Sequence, residues 1–204
     1  VVSSSICDAN AITPVIFELD RRWGVEHCFI TTLHPWLAYQ NLLDGTVSSV
    51  ASPGHTWTDY ALGRSSVLSL IPKDTTAASA TVAALPEMAG RVDAISFRVP
   101  THIVSASDLS TVLRTETTAE EINEHFAGRA RRRPDVFGYE EDHLVSIDYL
   151  GTTTSFVLDA SRTRVLGGRF VKMVMWYDNE WGYSCRVVDV AKLVCGYPVL
   201  PLRP

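Results

Sequence analysis

The chain of 204 residues predicts an α+β domain, with a mostly antiparallel or mixed sheet covered by helices. Three observations point to it. Runs rich in β-branched and aromatic residues follow one another with few helices between them. The helical segments that do occur carry clear start or stop signals. No Gly-x-Gly-x-x-Gly appears anywhere, so no Rossmann unit is expected within this chain, and residues 1–204 read as one domain with its own core.

Taken in order, Ala11 to Trp23 spaces Ile12, Val15, Ile16 and Leu19 at helical intervals and meets Gly24 as a stop. Pro14 is placed in the first turn, where proline is tolerated. Val25 to Leu33 reads as a buried strand. Trp36 to Ser66 is irregular, with Gly45, Pro53, Gly54 and Gly63, and a loop of that length in a compact domain is usually functional. Thr75 to Leu85 reads as an Ala-rich helix ending before Pro86. Val92 to Val99 and His102 to Leu113 read as strands parted by Pro100. Thr118-Ala119-Glu120-Glu121 is a capping box opening a helix over Ala119 to Arg131. Strands follow at Leu144 to Tyr149, Thr153 to Leu158 and Arg169 to Trp176, then a helix from Gly182 to Val194.

Composition narrows the function classes. Hydrophobic residues make up 46% and charged residues 20%, which is the balance of an ordinary soluble globular domain. A net charge of −5 gives no electrostatic footprint for nucleic acid, and any anionic ligand has to be held by local arginines and backbone donors. The basic run Arg129 to Arg133 follows a helix, where positive charge suits the helix end. No apolar run approaches the roughly 18 residues of a membrane span, and no basic-then-apolar leader opens the sequence. Cys7, Cys28, Cys185 and Cys195 have neither metal-ligand spacing nor the density of a disulfide framework, as expected of a reducing, cytoplasmic setting.

Two residues suggest covalent chemistry. Cys7 stands in Ile6-Cys7-Asp8-Ala9-Asn10 at a helix start, where free N–H groups and the helix dipole favour a thiolate. His34 closes the run Cys28 to His34, so a strand end can present a base. Together they form the two parts of a Cys–His nucleophile. Arg98 lies inside a strand, where an unpaired guanidinium is costly and a bidentate anion contact would suit it.

These segments, with Phe97-Arg98-Val99-Pro100-Thr101 and Trp176-Tyr177-Asp178-Asn179-Glu180, resemble the catalytic domain of the glyceraldehyde-3-phosphate dehydrogenase family. The family carries Ser-Cys-Thr-Thr-Asn at the thiol, then Thr-Thr-x-His, Phe-Arg-Val-Pro-Thr and Trp-Tyr-Asp-Asn-Glu. The 27-residue interval between Cys7 and His34 (34 − 7) matches its spacing. The resemblance implies a dehydrogenase of a small phosphorylated aldehyde that uses NAD or NADP and needs a cofactor domain outside this chain. It implies Cys7 as nucleophile and His34 as base. Arg98 anchors substrate phosphate, with Thr75 and Thr76 nearby and Arg64 as a further candidate. Asn179 meets the nicotinamide carboxamide, with Tyr183 packing beside it. The family's long loop after the base lines the cofactor pocket, and here it is longer by about nine residues, around Ser48 to His55. A homo-oligomer, tetramer or dimer, built across the sheet is implied as well.

Departures cluster on the phosphate sites. Ile6 replaces a Ser, Asp8 a Thr and Leu37 a Thr, and the family's Ser-Thr-Gly loop becomes Asp74-Thr75-Thr76. Asp74-Thr75 and Val165 to Gly168 are similar to the erythrose-4-phosphate branch. Asp8 either faces the expected phosphate, at a cost of about 4 kcal/mol for like charges 4 Å apart, or turns away and supports the helix start. Facing the thiol, it would raise the pKa of Cys7. These losses expect altered substrate use with weakened inorganic-phosphate binding. They also leave a second reading, a non-catalytic assembly module derived from the family.

Overall fold

The computed structural model describes residues 2–45 and 60–198. Among them are helices α1 (Cys7–Trp23), α2 (Ala77–Ala84), α3 (Ala119–Arg132) and α4 (Trp181–Val194). The strands are β1 (Val25–Pro35), β2 (Ile71–Lys73), β3 (Val92–Val99), β4 (Ser105–Leu113), β5 (Phe137–Glu140), β6 (Phe156–Asp159), β7 (Arg164–Leu166) and β8 (Phe170–Tyr177). They form one mixed sheet in the order β2-β3-β1-β4-β8-β6-β5, with β7 paired to β8. β1/β3 and β5/β6 run parallel, and the other pairs are antiparallel. The α+β class and the mixed sheet agree with the sequence reading.

Strand alternation makes the sheet two-faced. Val171, Met173, Met175 and Tyr177 of β8 turn inward with Ile30 of β1 and Leu109 and Leu113 of β4. They meet Ile12, Val15, Ile16 and Leu19 of α1, and Ile122 and Phe126 of α3, in a single core. The other face leaves Phe29, Leu33, Ile95 and Phe170 exposed. Strand register puts Phe29 and Leu33 beside Asp93 and Phe97, so these residues share that outer face.

Several elements depart from expectation. α1 begins at Cys7 rather than Ala11, because the Ile6 carbonyl already accepts Asn10 N–H at 3.0 Å and Ala9, Ala11 and Ile12 are drawn into the core. Pro14 is therefore the helix's eighth residue, not a first-turn residue, and removes one rung of the ladder. β4 starts at Ser105 rather than His102, since Val104 has a left-handed φ of 68° that no strand accommodates. Leu144 to Tyr149 is not a strand: Asp148 Oδ2 accepts Val145 N–H at 2.9 Å, and this local bond favours a 3₁₀ turn over Ser146–Tyr149. The short strands β2, β5 and β7 escaped the sequence reading. The extra loop length around Ser48 to His55 lies outside the described residues.

The capping box of α3 forms as expected, with Glu121 N–H donating to Thr118 Oγ1 and Thr118 N–H to Glu121 Oε2. α4 is seated differently. Asp178 Oδ1 accepts the N–H groups of Glu180 and Trp181 at 3.0 and 2.8 Å, and Oδ2 accepts that of Gly151 at 2.8 Å. The backbone of Gly182 then packs on the 152–154 loop. A Cβ there would lie 2.7 Å from Thr154 O. Gly182→Ala is expected to cost about 1–3 kcal/mol, read as a lower urea midpoint at unchanged slope.

Candidate active site

One row of side chains crosses four strands on the helix-covered face. Arg98 of β3 is registered beside His34 of β1. His34 Nδ1 lies 3.1 Å from Ser105 Oγ of β4, and Ser105 is registered beside Tyr177 of β8. The first turn of α1 lies over this row and brings Cys7 and Asp8 onto it. Asn10 fixes the helix entry by donating from Nδ2 to Ser4 O at 2.7 Å and Ile6 O at 3.0 Å.

The resulting cleft, of about 430 Å³, is lined by Cys7, Asp8, His34, Lys73, Asp74, Thr75, Thr76, Arg98 and Asn179, with Ile6 and Leu37 as apolar wall. Seven of the nine sequence-derived candidates thus meet in one place. Two do not. Arg64 pairs with Asp44 at 3.1 Å on an exposed loop and lines a different depression beside Tyr60 and Pro72. Tyr183 donates its hydroxyl to Ser5 O at 3.1 Å and lies 2.9 Å from Ser4 Oγ, so it braces the segment before Cys7 and is not part of the cleft wall.

Asp8 turns inward and is buried. Its Oδ1 accepts the Tyr177 hydroxyl at 2.8 Å and faces the Cys7 thiol, which donates at 3.6 Å. Oδ2 accepts from Thr75 Oγ1 at 3.5 Å. His34 Nε2 is 2.9 Å from Asp8 Oδ1. Both side chains of this pair are buried. Burial works to raise the Asp8 carboxyl, but His34 and Tyr177 outweigh it and hold it below its ordinary value.

The thiol behaves opposite to the expectation from its helix position. Burial, reinforced by the charge and hydrogen bond of Asp8, pushes Cys7 up to about 12. Desolvation and an adjacent carboxylate both disfavour the thiolate, and together they exceed the favourable helix start. Of the alternatives open for Asp8, the structure selects the one in which it faces the thiol.

Two cations, Arg98 and Lys73, line the cleft. Arg98 donates to Pro35 O at 3.1 Å, and Lys73 donates to the Asp74 carbonyl at 2.9 Å. Burial lowers both from their ordinary values, as expected of cations held in a partly dry pocket. Lys73, Ser105 and Tyr177 were missed from sequence. Lys73 immediately precedes the Asp74-Thr75-Thr76 loop, and that position was the available signal. For Ser105 and Tyr177 only strand register reveals the relation to His34. On the far wall Asn179 keeps a shielded Oδ1 with no hydrogen-bond partner among the described residues. An acceptor so placed fits an amide N–H of a bound group.

This arrangement can be compared with known proteins. A family model described as glyceraldehyde 3-phosphate dehydrogenase, C-terminal domain, matches residues 6–179. The glyceraldehyde-3-phosphate dehydrogenase of Eremothecium gossypii is 38% identical over 195 residues, which is 95% of this chain and 56% of that protein. Glyceraldehyde-3-phosphate dehydrogenase 3 of Saccharomyces cerevisiae is 40% identical over the same shares. The Mastigamoeba balamuthi protein is 39% identical over 93% of this chain and 54% of its own length. The chain therefore spans little more than half the length of these relatives. The match begins one residue before Cys7 and ends at Asn179, enclosing the cleft from wall to wall, and by that match the chain belongs to the glyceraldehyde-3-phosphate dehydrogenase C-terminal domain family.

Proposed function

We propose that this chain supplies the substrate half of an NAD- or NADP-dependent dehydrogenase of a small phosphorylated aldehyde, with Cys7 as nucleophile. The observation that carries the reading is the convergence of Cys7, His34, Arg98, Thr75, Thr76 and Asn179, from five separated segments, on one cleft. Arg98 and Lys73 hold the substrate phosphate. Thr75 and Thr76 add hydroxyl donors. The Cys7 sulfur adds to the aldehyde carbon, and its proton passes through Asp8 to His34, which delivers it to the carbonyl oxygen as that becomes a hydroxyl. A nicotinamide bound beside Asn179 would supply the hydride acceptor for that carbon, and His34 takes the hydroxyl proton as the carbonyl re-forms. The carbon is left as a thioester on Cys7 for release to an acyl acceptor. Asn179 Oδ1 orients the cofactor by accepting its carboxamide N–H. With Ile6, Asp8 and Leu37 in place of hydroxyl residues, inorganic phosphate binds weakly as that acceptor, so water or another nucleophile competes with it.

The exposed apolar outer face of the sheet supports pairing with a second copy of the chain, and the four cysteines are free thiols, as suits a reducing cytoplasm. No described helix is long and apolar enough to cross a membrane.

The test is NADH or NADPH formation by the protein with glyceraldehyde 3-phosphate and with unphosphorylated glyceraldehyde. Cys7→Ser is expected to abolish turnover of both. Arg98→Ala is expected to raise KM for the phosphorylated substrate by about 10- to 100-fold, the loss of one charge-assisted bidentate contact, and to leave the unphosphorylated one unaffected. Activity that survives Cys7→Ser rejects the reading. The wedge of Asp8 between thiol and imidazole favours the second reading, an assembly module without turnover, and absence of any Cys7 thioester by mass spectrometry would select it.

A further inference from the structure

Cys7, Asp8 and His34 bring a sulfur, a carboxylate oxygen and an imidazole nitrogen within 4.8 Å of one another. The 3.6 Å from Sγ to Oδ1 is close to an edge of a coordination tetrahedron with metal–ligand bonds of about 2.0–2.3 Å, and the 2.9 Å from Nε2 to Oδ1 would open by a few tenths of an ångström around an ion, about 0.4 Å on that geometry. The second, independent observation is the His34 ring itself. It is buried, and its Nε2 faces the Asp8 carboxylate at 2.9 Å in a shielded pair that needs a proton, or a cation in its place, between the two atoms. An imidazole lone pair set against an anionic oxygen is repulsive unless a proton or a cation lies between them. The supporting contacts are those of a metal ligand set. Ser105 Oγ lies 3.1 Å from the opposite ring nitrogen, so Nδ1–H can donate to it and leave Nε2 as the acceptor. The Tyr177 hydroxyl fixes the carboxylate at 2.8 Å.

We propose that Cys7, Asp8 and His34 form a binding site for a divalent transition-metal ion of the zinc class. Thiolate and imidazole donors exclude magnesium and calcium, which take oxygen ligands, and select a borderline-soft ion. Three protein ligands leave a fourth position open to the cleft. Binding replaces the Sγ–H bond with a sulfur–metal bond and releases the thiol proton to solvent. Thiolate and carboxylate then balance the two positive charges. Lys73 and Arg98, which line the same cleft, disfavour a bare cation but complement an anion in the fourth position. A bound ion would also occupy the sulfur, so metal and aldehyde compete for Cys7. The site stands whether or not the dehydrogenase reading does, since its test reads binding alone.

The experiment is titration of the reduced native chain with Co²⁺, followed by displacement with Zn²⁺ against a chromophoric chelator. One Co²⁺ per chain with a thiolate charge-transfer band and intensified four-coordinate bands is expected. Cys7→Ser should abolish the band, Cys195→Ser should leave it intact, and Asp8→Asn, which removes an anionic ligand, should weaken Zn²⁺ by at least about 10-fold, since loss of even an outer-shell partner costs that much. A six-coordinate spectrum without sulfur charge transfer from the native chain overturns the proposal, even if a variant fails to fold. So does a band that follows Cys185 or Cys195, or an Asp8→Asn chain that holds Zn²⁺ as tightly as the native one.

Discussion

Asp8→Asn is expected to speed iodoacetamide labelling of Cys7 at pH 7.5, in chelator-containing buffer, by roughly 10- to 100-fold, the effect of removing one close like charge. In the native chain Cys7 is pushed up to about 12, so almost none of the thiol is ionised at that pH. Labelling of the native chain should therefore keep rising through about pH 10 without a plateau, whereas an ordinary exposed thiol is half ionised near pH 8.5 and levels off above about pH 9.5. Asn suits the test because its amide oxygen can still accept from Tyr177, which keeps the change in fold stability near 1 kcal/mol. Cys28, Cys185 and Cys195 serve as controls within the same molecule. Burial comes before Asp8 among the causes of the shift, so recovery should be partial. An unchanged rate would mean that burial alone silences the thiol and that Asp8 does not govern it.

Glu18→Ala is expected to destabilise the domain by about 3–5 kcal/mol at pH 7, the usual result of removing one side of a buried ion pair. Glu18 is buried beneath α3, with His125 Nε2 at 2.9 Å and Arg129 Nη2 at 3.1 Å. His125 also packs edge-on against Trp23 and Phe126, so the network ties the end of α1 to α3. Burial works to raise the Glu18 carboxyl, but the hydrogen bond from His125 and the charge of Arg129 outweigh it and lower it from 4.5. A lowered carboxyl contributes stability above its unfolded value and loses it as pH falls through the folded one. The gap between native and variant chains, from urea unfolding, should be full above about pH 5 and close as pH drops below about 4.5. A gap that stays constant down to pH 3 would assign the loss to packing alone.

Long periodic segments were legible in sequence because their signals are local. α3 announces itself by Thr118 and Glu121, and β3 by its run from Val92 to Val99. The short strands β2, β5 and β7 were not. Three or four residues carry no period, and each exists only because a longer neighbour offers a ladder, as β3 does for Ile71–Lys73. Leu144 to Tyr149 failed for the converse reason. Its apolar residues suggested a strand while Asp148 offered the backbone a nearer partner.

Cys7, His34, Arg98, Thr75, Thr76 and Asn179 could be listed from motifs alone, and the sequence by itself determined the α+β class, the family and most of the residues that line the cleft. How Cys7 and His34 are placed relative to each other was decided only by tertiary structure. Asp8 could face solvent, phosphate or thiol from the same position in the sequence, and the choice fell to Tyr177 and His34, 169 and 26 residues away along the chain (177 − 8 and 34 − 8). The pKa of a thiol depends on what is packed within a few ångströms of it, and a helix start sets only one of those terms.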